Sequence, residues 1–347
     1  MRPPLPPEQL RLGLILPTWT TTDLRWSELL EVASSAAEVG FDALYVTDHL
    51  LMPGNNAEPK RRSGVDFPDD PEVELEGYLE CFTVLSALAV EIPRLTIGSL
   101  VACTGYRNIG LLAKMAVTID DISGGRLVLG LGAGDSEGEH TTFGFPYEQP
   151  VSRFEEALQV IKGLFRPASL NFDGTHHRLR GARLLPRGPR TEGPPILIGT
   201  LNPGPRMRRL VAQYADIWNG WLGYTDASAE SAAAQLRIID EGCREHGRDP
   251  LTLVATTAVR GALPGSGYSP RPDERPLSGP PHQMAETLRG HARLGIAEVQ
   301  VALTIGGAEG VRAFAPVIAE LRSGGGPPSP GHWRGKATPC ASGKSSP

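Results

Sequence analysis

An aspartate and a histidine stand directly after one of the apolar runs of the sequence. The run extends from Phe41 to Val46, and Asp48 and His49 follow it after a single threonine. A histidine titrates near neutral pH, so it can give or take a proton during a reaction. The structural alternative is that Asp48 only orients His49 and that His49 caps the next loop, the commoner role for such a pair outside an active site. His49 is therefore a candidate acid–base residue if the fold places it at a site.

A second candidate segment is rich in glycine and ends in an acidic residue. The apolar run from Arg126 to Leu131 is followed by Gly132, Ala133, Gly134 and Asp135. The spacing is close to that of a dinucleotide-binding loop, but as a lone signal this is weak. No clear helix is predicted directly after it, because residues 136–147 contain two glycines and a proline. We interpret the glycines as letting the backbone approach a flat ring.

The elements that must position these residues alternate regularly along the chain. Eight strand-like apolar runs begin near residues 12, 41, 95, 126, 195, 215, 251 and 298, and each is followed by a helical pattern or by a long loop and a helix. Such alternation implies parallel strands, and eight units imply a closed barrel. An open doubly wound sheet is the alternative, but it carries its glycine loop after the first strand. Here the first strand runs into Pro17, Thr18 and Trp19, so the sequence predicts an α/β fold, a TIM-like (β/α)8 barrel.

The predicted barrel domain covers residues 11–322. It follows an N-terminal arm (residues 1–10) and precedes a tail (residues 323–347) rich in glycine, proline and serine, for which we predict disorder. Two insertions, residues 52–77 and 261–281, are rich in polar residues, proline or glycine. Loops of this length are usually functional or disordered. We predict that these two insertions form the lids that select the substrate.

Composition limits the class of partner. The chain of 347 residues has a formal net charge of -5, which argues against nucleic acid as a partner. No stretch approaches the roughly 18 continuous apolar residues of a membrane helix, and the first residues lack the apolar core of a signal peptide. The four cysteines form no CxxC pair, and His176 and His177 lack a third ligand at usable spacing. We therefore expect a cytoplasmic protein that has no metal site and does not act at a membrane.

In barrels of this kind, the active site lies at the C-terminal ends of the strands. Small or polar residues occupy five consecutive strand ends: Asp48 and His49, Ser99, Gly132 to Asp135, Gly199 and Thr200, and Asn219. They indicate one shared pocket. Trp19 and Trp221 lie at or just after strand ends. We predict that both form walls of the substrate pocket, although core packing is the commoner fate of tryptophan.

Three separated blocks resemble the bacterial luciferase-like monooxygenase superfamily. They read VTDHL (46–50), YRNIGLLAKMAVTIDDISGGRLVLGLGAGD (106–135) and PPILIGTLNPGPRMRRLVAQYADIWNGW (194–221). Within the superfamily they resemble the branch that uses the deazaflavin coenzyme F420 more than the luciferase branch proper. The match covers about residues 10 to 320, outside the two insertions and the tail.

The resemblance implies a TIM-like barrel, usually a homodimer, that binds a flavin or deazaflavin at the strand ends. By position, His49 matches the family's active-site histidine near the reactive ring carbon, and Asp48 matches its neighbour. Asp135 falls where some deazaflavin enzymes carry a glutamate acid, so a carboxylate is kept but is one methylene shorter. The resemblance thus assigns catalysis to His49 and Asp135.

The resemblance also implies which residues hold the cofactor. Ser99 and Leu100 fall where the family carries a non-proline cis peptide bulge against the ring, and Gly199 and Thr200 match the segment that approaches the cofactor's side chain or phosphate. The cofactor-binding set is therefore Asp48, Ser99, Leu100, Gly132, Ala133, Gly134, Gly199 and Thr200.

The leading hypothesis from the sequence is an oxidoreductase that moves a hydride between coenzyme F420 and a small organic substrate. Deazaflavin has a carbon where flavin has N5, so it carries hydride and reacts poorly with oxygen. His49 would then supply or accept the accompanying proton. One alternative is an FMNH2-dependent monooxygenase that activates oxygen, with FMN as the cofactor. A second is a non-catalytic flavin-binding barrel, which would not need Asp48 and His49 at a strand end.

Overall fold

Eight parallel strands close into a barrel. The computed structural model describes residues 2–20, 24–53, 75–223 and 225–323. The barrel strands are β1 (Arg11–Ile15), β2 (Ala43–Val46), β3 (Thr96–Ser99), β4 (Leu127–Gly132), β5 (Ile196–Thr200), β6 (Ile217–Trp221), β7 (Val254–Ala262) and β8 (Glu298–Leu303). Each pairs in parallel with its neighbours in chain order. The ring closes between β8 and β1, where Leu12 lies beside Val299. The predicted TIM-like barrel is confirmed.

Side chains of the strands alternate between two separate hydrophobic cores. One lies inside the barrel and includes Ile15, Tyr45, Val128 and Ile217. The other lies between the strands and the surrounding helices and includes most of the buried aliphatic residues. All six residues of β4 are buried, because a parallel strand in a barrel is covered on both faces. This is why the barrel strands appear in the sequence as continuous apolar runs.

Nine α-helices lie in the described part of the chain. They are α1 (Trp26–Val39), α2 (Cys81–Glu91), α3 (Ile109–Ile122), α4 (Glu137–Phe143), α5 (Pro150–Phe165), α6 (Pro205–Tyr214), α7 (Ala229–Glu245), α8 (Pro281–Arg293) and α9 (Gly307–Arg322). Helix α4 corrects the sequence interpretation, which expected no helix directly after the glycine segment. It begins after Ser136, whose hydroxyl accepts a hydrogen bond from the Glu139 amide (3.2 Å), and it ends at Gly144, which has a φ of 75°. None of the helices in the described ranges has the length and apolar character needed to cross a bilayer.

Segments outside the strand–helix alternation lie at both ends of the barrel. Trp19–Thr20, Leu75–Tyr78 and Leu51–Pro53 form a small antiparallel sheet beside the strand ends. Most of the predicted first insertion, residues 54–74, lies outside the described residues. In the second insertion, Leu277–Ser278 pairs with the end of β7.

The N-terminal segment packs against the opposite end of the barrel. The Leu5 amide donates to the Ala292 carbonyl (2.9 Å), and Arg2 forms an ion pair with Asp240 (3.0 Å). Residues 324–347 lie outside the described residues, so the predicted disordered tail and the domain boundaries stay predictions.

Candidate active site

One cavity lies at the C-terminal ends of the strands, where the sequence places the active site. Its volume is about 470 Å³, within the range of about 300–1,000 Å³ common for ligand pockets. The predicted residues that line it are Trp19, Asp48, His49, Leu100, Gly132, Ala133, Gly134, Asp135, Gly199, Thr200 and Trp221. Ser99 does not line it: this side chain is fully buried and its hydroxyl donates to the Gly130 carbonyl (2.7 Å).

His49 is held by a buried carboxylate that the sequence interpretation missed. The Nδ1 atom lies 2.8 Å from Glu139 Oε2, and the Glu139 side chain has no solvent exposure. Because an ionised carboxylate only accepts hydrogen bonds, Nδ1 carries the proton of this contact. The ring is 26% exposed, and within the described residues its Nε2 makes no hydrogen bond. Nε2 is therefore the ring nitrogen available to a molecule in the cavity.

Glu139 is itself fixed by further donors. The Tyr106 hydroxyl donates to Oε2 (2.9 Å), and the Leu50 amide donates to Oε1 (2.6 Å). The latter bond ties the backbone directly after His49 to helix α4. Glu139 thus orients both the ring of His49 and the chain that carries it.

Charge coupling favours the ionised forms of both partners. Burial acts to lower the pKa of His49, but the hydrogen bond to Glu139 and its negative charge outweigh burial, so the pKa is raised. Burial acts to raise the pKa of Glu139, but His49 and the amide and hydroxyl donors outweigh it, so the pKa is lowered. His49 is therefore suited to hold a proton near neutral pH and to deliver it from Nε2.

Asp48 is engaged in a structural ion pair. Its two carboxylate oxygens accept from Arg107 Nη1 and Nη2 (2.6 and 2.8 Å), and Oδ2 also accepts from the Cys103 amide (2.9 Å). Burial raises the pKa of Asp48, while Arg107 acts in the opposite direction. This clamp holds the end of β2, from which His49 projects.

Asp135 lies at the rim of the cavity. Its side chain is exposed, and within the described part of the chain it makes no hydrogen bond or ion pair. Its charge adds to the raised pKa of His49. Asp135 is thus placed to act on His49 or on a bound molecule, and its predicted catalytic role stays a prediction.

The cis peptide bond lies one residue later than the sequence interpretation placed it. It joins Leu100 and Val101, whereas the bond between Ser99 and Leu100 is trans. Val101 projects toward the wall formed by two glycines. A Cβ at Gly132 would lie 2.7 Å from Val101 Cγ2, and a Cβ at Gly199 would lie 3.1 Å from Val101 Cγ1. Both glycines therefore make room for Val101 as well as lining the cavity.

Aromatic side chains form part of the wall. The Trp19 ring lies 6.0 Å from the Tyr78 ring, which in turn lies 5.3 Å from the His49 ring. Thr200 accepts a hydrogen bond from the indole of Trp218 (2.8 Å). Tyr78 also lines the cavity and was not predicted from the sequence.

The described lining of the cavity suits a flat ring. An accessible histidine nitrogen, apolar side chains such as Leu100 and Trp221, and two glycines in the lining suit a flavin or deazaflavin ring. Within the described residues, no group of three or more histidine, cysteine, aspartate or glutamate side chains could hold a metal ion.

Comparison with known proteins confirms the resemblance read from the sequence. The family model described as luciferase-like monooxygenase matches residues 13–260. The chain is 30% identical over 237 residues to a phthiodiolone/phenolphthiodiolone dimycocerosates ketoreductase of Mycobacterium tuberculosis. That alignment covers 67% of this chain and 60% of the ketoreductase, so the chain spans less than two thirds of this relative's length.

Two solved structures share the fold. An F420-dependent secondary alcohol dehydrogenase in complex with an F420-acetone adduct superposes with a TM-score of 0.71 at 17% identity, covering 90% of this chain and 99% of that one. A riboflavin lyase with modified FMN superposes with a TM-score of 0.70 at 14% identity, covering 91% of this chain and 92% of that one. At these identities the likeness concerns the fold alone.

Proposed function

Because the chain belongs to the luciferase-like monooxygenase family, we propose that it is an oxidoreductase that transfers a hydride between coenzyme F420 and the carbonyl or alcohol carbon of a small organic substrate. The observation that carries this proposal is the His49–Glu139 pair, with Nε2 of His49 open to the cavity at the strand ends. The ketoreductase relative supports a carbonyl substrate. A non-catalytic barrel would not need a buried carboxylate that orients a histidine toward its cavity.

The residues of the site divide the work between proton transfer and positioning. When bound, coenzyme F420 would supply or accept a hydride at a ring carbon. His49 Nε2 gives a proton to the substrate oxygen during carbonyl reduction and takes it back during alcohol oxidation. Glu139 keeps the ring oriented and stabilises its protonated form. Leu100, Val101 and Trp221 wall the reacting groups from water.

A flavin-dependent monooxygenase is the second candidate. The riboflavin lyase with modified FMN has nearly the same TM-score as the F420-dependent dehydrogenase, so the fold does not favour one cofactor. Titration of the purified protein with F420 and with FMN, each oxidised and reduced, separates the two. Tight FMN binding with oxygen consumption and no F420 binding would contradict the leading proposal.

Substitution of His49 tests the catalytic assignment. General acid–base catalysis contributes about 100- to 10,000-fold to rate, so we expect His49→Ala to lose turnover of ketones by that order and to keep F420 affinity. His246→Ala is the control, because His246 is exposed at the C-terminal end of α7. Unchanged turnover in His49→Ala would exclude proton transfer by this residue.

The oligomeric state and the cellular location of the protein are further proposals. We expect a homodimer, which light scattering on the purified protein would test. We also expect a cytoplasmic location, which cell fractionation would test.

A further inference from the structure

A chain of buried amides runs from the interior of the barrel to the floor of the cavity. Asn219 on β6 lines the cavity but is only 1% exposed. Its Nδ2 donates to Gln300 Oε1 (2.8 Å) and to Thr256 Oγ1 (3.0 Å). Both amide hydrogens of Asn219 therefore point into the barrel wall.

The charge of Glu298 sets the direction of the first of these bonds. Gln300 Nε2 donates to Glu298 Oε1 (2.8 Å), and Glu298 is also bonded by Tyr45 (2.6 Å) and Arg11 (2.9 Å). A carboxylate in this setting only accepts hydrogen bonds, so the amide nitrogen of Gln300 must face Glu298 and its oxygen must face Asn219. Gln300 and Glu298 are fully buried. Neither the Gln300 amide nor the Asn219 amide can turn without losing a buried hydrogen bond.

Thr256 sets the direction of the second bond independently. Its hydroxyl donates to the Trp218 carbonyl (3.1 Å), which only accepts. The hydroxyl oxygen is therefore left as an acceptor and takes a hydrogen of Asn219 Nδ2. Two separate anchors, Glu298 and the Trp218 carbonyl, thus force the same orientation on Asn219. The side-chain atom left toward the cavity is Oδ1, which accepts no hydrogen bond within the described residues.

We propose that Asn219 Oδ1 is a fixed acceptor that recognises the imide N–H of the pyrimidinedione edge of the bound cofactor, held in that orientation by Gln300 and Thr256. Asn219 pairs in register with Gly199, which lines the same cavity. A flat ring that lies against Gly199 would bring an edge near Asn219. The dione edge offers one N–H between two carbonyls, whereas a ketone has no hydrogen to donate and the hydroxyl of an alcohol substrate must reach His49. This inference rests on the proposed function, because it requires a flavin or deazaflavin in the cavity.

Methylation of the imide nitrogen tests the proposal without any substitution. The probes are 8-hydroxy-5-deazariboflavin and FMN, each compared with its N3-methyl derivative by fluorescence titration. A polar site that loses its partner rejects the methylated analogue, so we expect the wild-type protein to bind it at least about 10-fold more weakly. Binding of both forms with equal affinity would overturn the inference and leave the proposed function standing.

Two variants test whether Asn219 and its anchors are what distinguishes the methylated probe from the unmethylated one. Asn219→Ala removes the acceptor, and the double substitution Gln300→Met with Thr256→Val removes both anchors that fix its orientation. We define the N3-methyl penalty as the factor by which the methylated probe binds more weakly than the unmethylated one. In each variant we expect this penalty to fall below about 3-fold. Gln213→Met on the exposed face of α6 is the matched control and should keep the wild-type penalty. Melting temperatures report whether each variant folds, and either variant alone decides the test if the other does not fold.

The remaining outcomes distinguish failure of the inference about Asn219 from failure of the proposed function. A penalty that persists in folded Asn219→Ala or in the folded double variant would show that another group reads the imide and would overturn the inference. Absence of binding by either ring system and by F420 itself would overturn both the inference and the proposed function.

Discussion

Removing the negative charge of Glu139 should have specific effects on kcat, stability and pH dependence. In Glu139→Gln the side chain keeps its shape but loses its negative charge. In the wild-type protein, Glu139 accepts hydrogen bonds from His49 Nδ1 (2.8 Å), the Tyr106 hydroxyl (2.9 Å) and the Leu50 amide (2.6 Å). A glutamine has one oxygen for these donors, and its NH2 group cannot accept.

The size of the effect follows from these contacts. A hydrogen bond to a charged group contributes about 1.5–3 kcal/mol. Because the His49 ring is 26% exposed, solvent screening places the loss at about 1.5–2 kcal/mol for the protonated ring. At 1.36 kcal/mol per tenfold change, kcat for carbonyl reduction should fall about 10- to 30-fold on the alkaline side of the pH profile, where the variant's ring has lost its proton. A donor left without an acceptor should lower the free energy of unfolding by about 1–3 kcal/mol.

The pH dependence gives the signature that a purely structural role of Glu139 would not produce. The pKa of His49 is raised in the folded protein above its usual 6.5, despite burial, because of Glu139. The stabilisation from this pair is therefore fully present below the unfolded pKa of the histidine. It is lost as pH rises from about 6.5 through the folded pKa. The same rise removes the proton needed for carbonyl reduction, so the alkaline limb of the kcat profile should move to lower pH in Glu139→Gln.

The assay is kcat for ketone reduction with reduced F420, and urea unfolding, both across about pH 5 to 9. Glu137→Gln is the matched control, since Glu137 lies in the same first turn of α4 and is exposed. An alkaline limb that stays in place in Glu139→Gln, or that moves equally in Glu137→Gln, would refute the assigned role.

Three further predictions concern the surroundings of the pair. Asp48→Ala removes one of the two carboxylates that pair with Arg107, which keeps Glu80 (2.5 Å), so urea unfolding should show a loss of about 1–3 kcal/mol. Asp135→Asn, at an exposed position, should change the free energy of unfolding by less than about 0.5 kcal/mol. It should also move the alkaline limb of the kcat profile to lower pH, but by less than Glu139→Gln does, because the charge of Asp135 affects the pKa of His49 less than that of Glu139. Gly132→Ala places a Cβ 2.7 Å from Val101, which should cost about 1–3 kcal/mol of stability and weaken cofactor binding in fluorescence titration. Adding Val101→Ala should restore both, and a double variant no better than the single one would contradict this packing argument.

Local sequence determined the barrel and the position of its active end. The strands are buried on both faces, so each stands out as an apolar run such as Phe41 to Val46, and the turns between strands and helices carry glycine or proline. Since all strands are parallel, their C-terminal ends meet at one rim, and His49 and Asp135 could be placed there without coordinates. The family resemblance added the class of cofactor, which residue patterns alone do not specify.

Tertiary structure alone decided which side chains meet. Glu139 lies 90 residues from His49 and Gln300 lies 81 residues from Asn219. Ser136 followed by Glu139 at the third position is a helix-start signal, and Ser136 does accept from the Glu139 amide. The same signal predicts that the Glu139 carboxylate turns back to the helix start, whereas it reaches across to His49. That choice depends on how α4 packs over the end of β2 and on the register of the strands around the closed barrel. Both are set by contacts between distant segments, so no local pattern contains them.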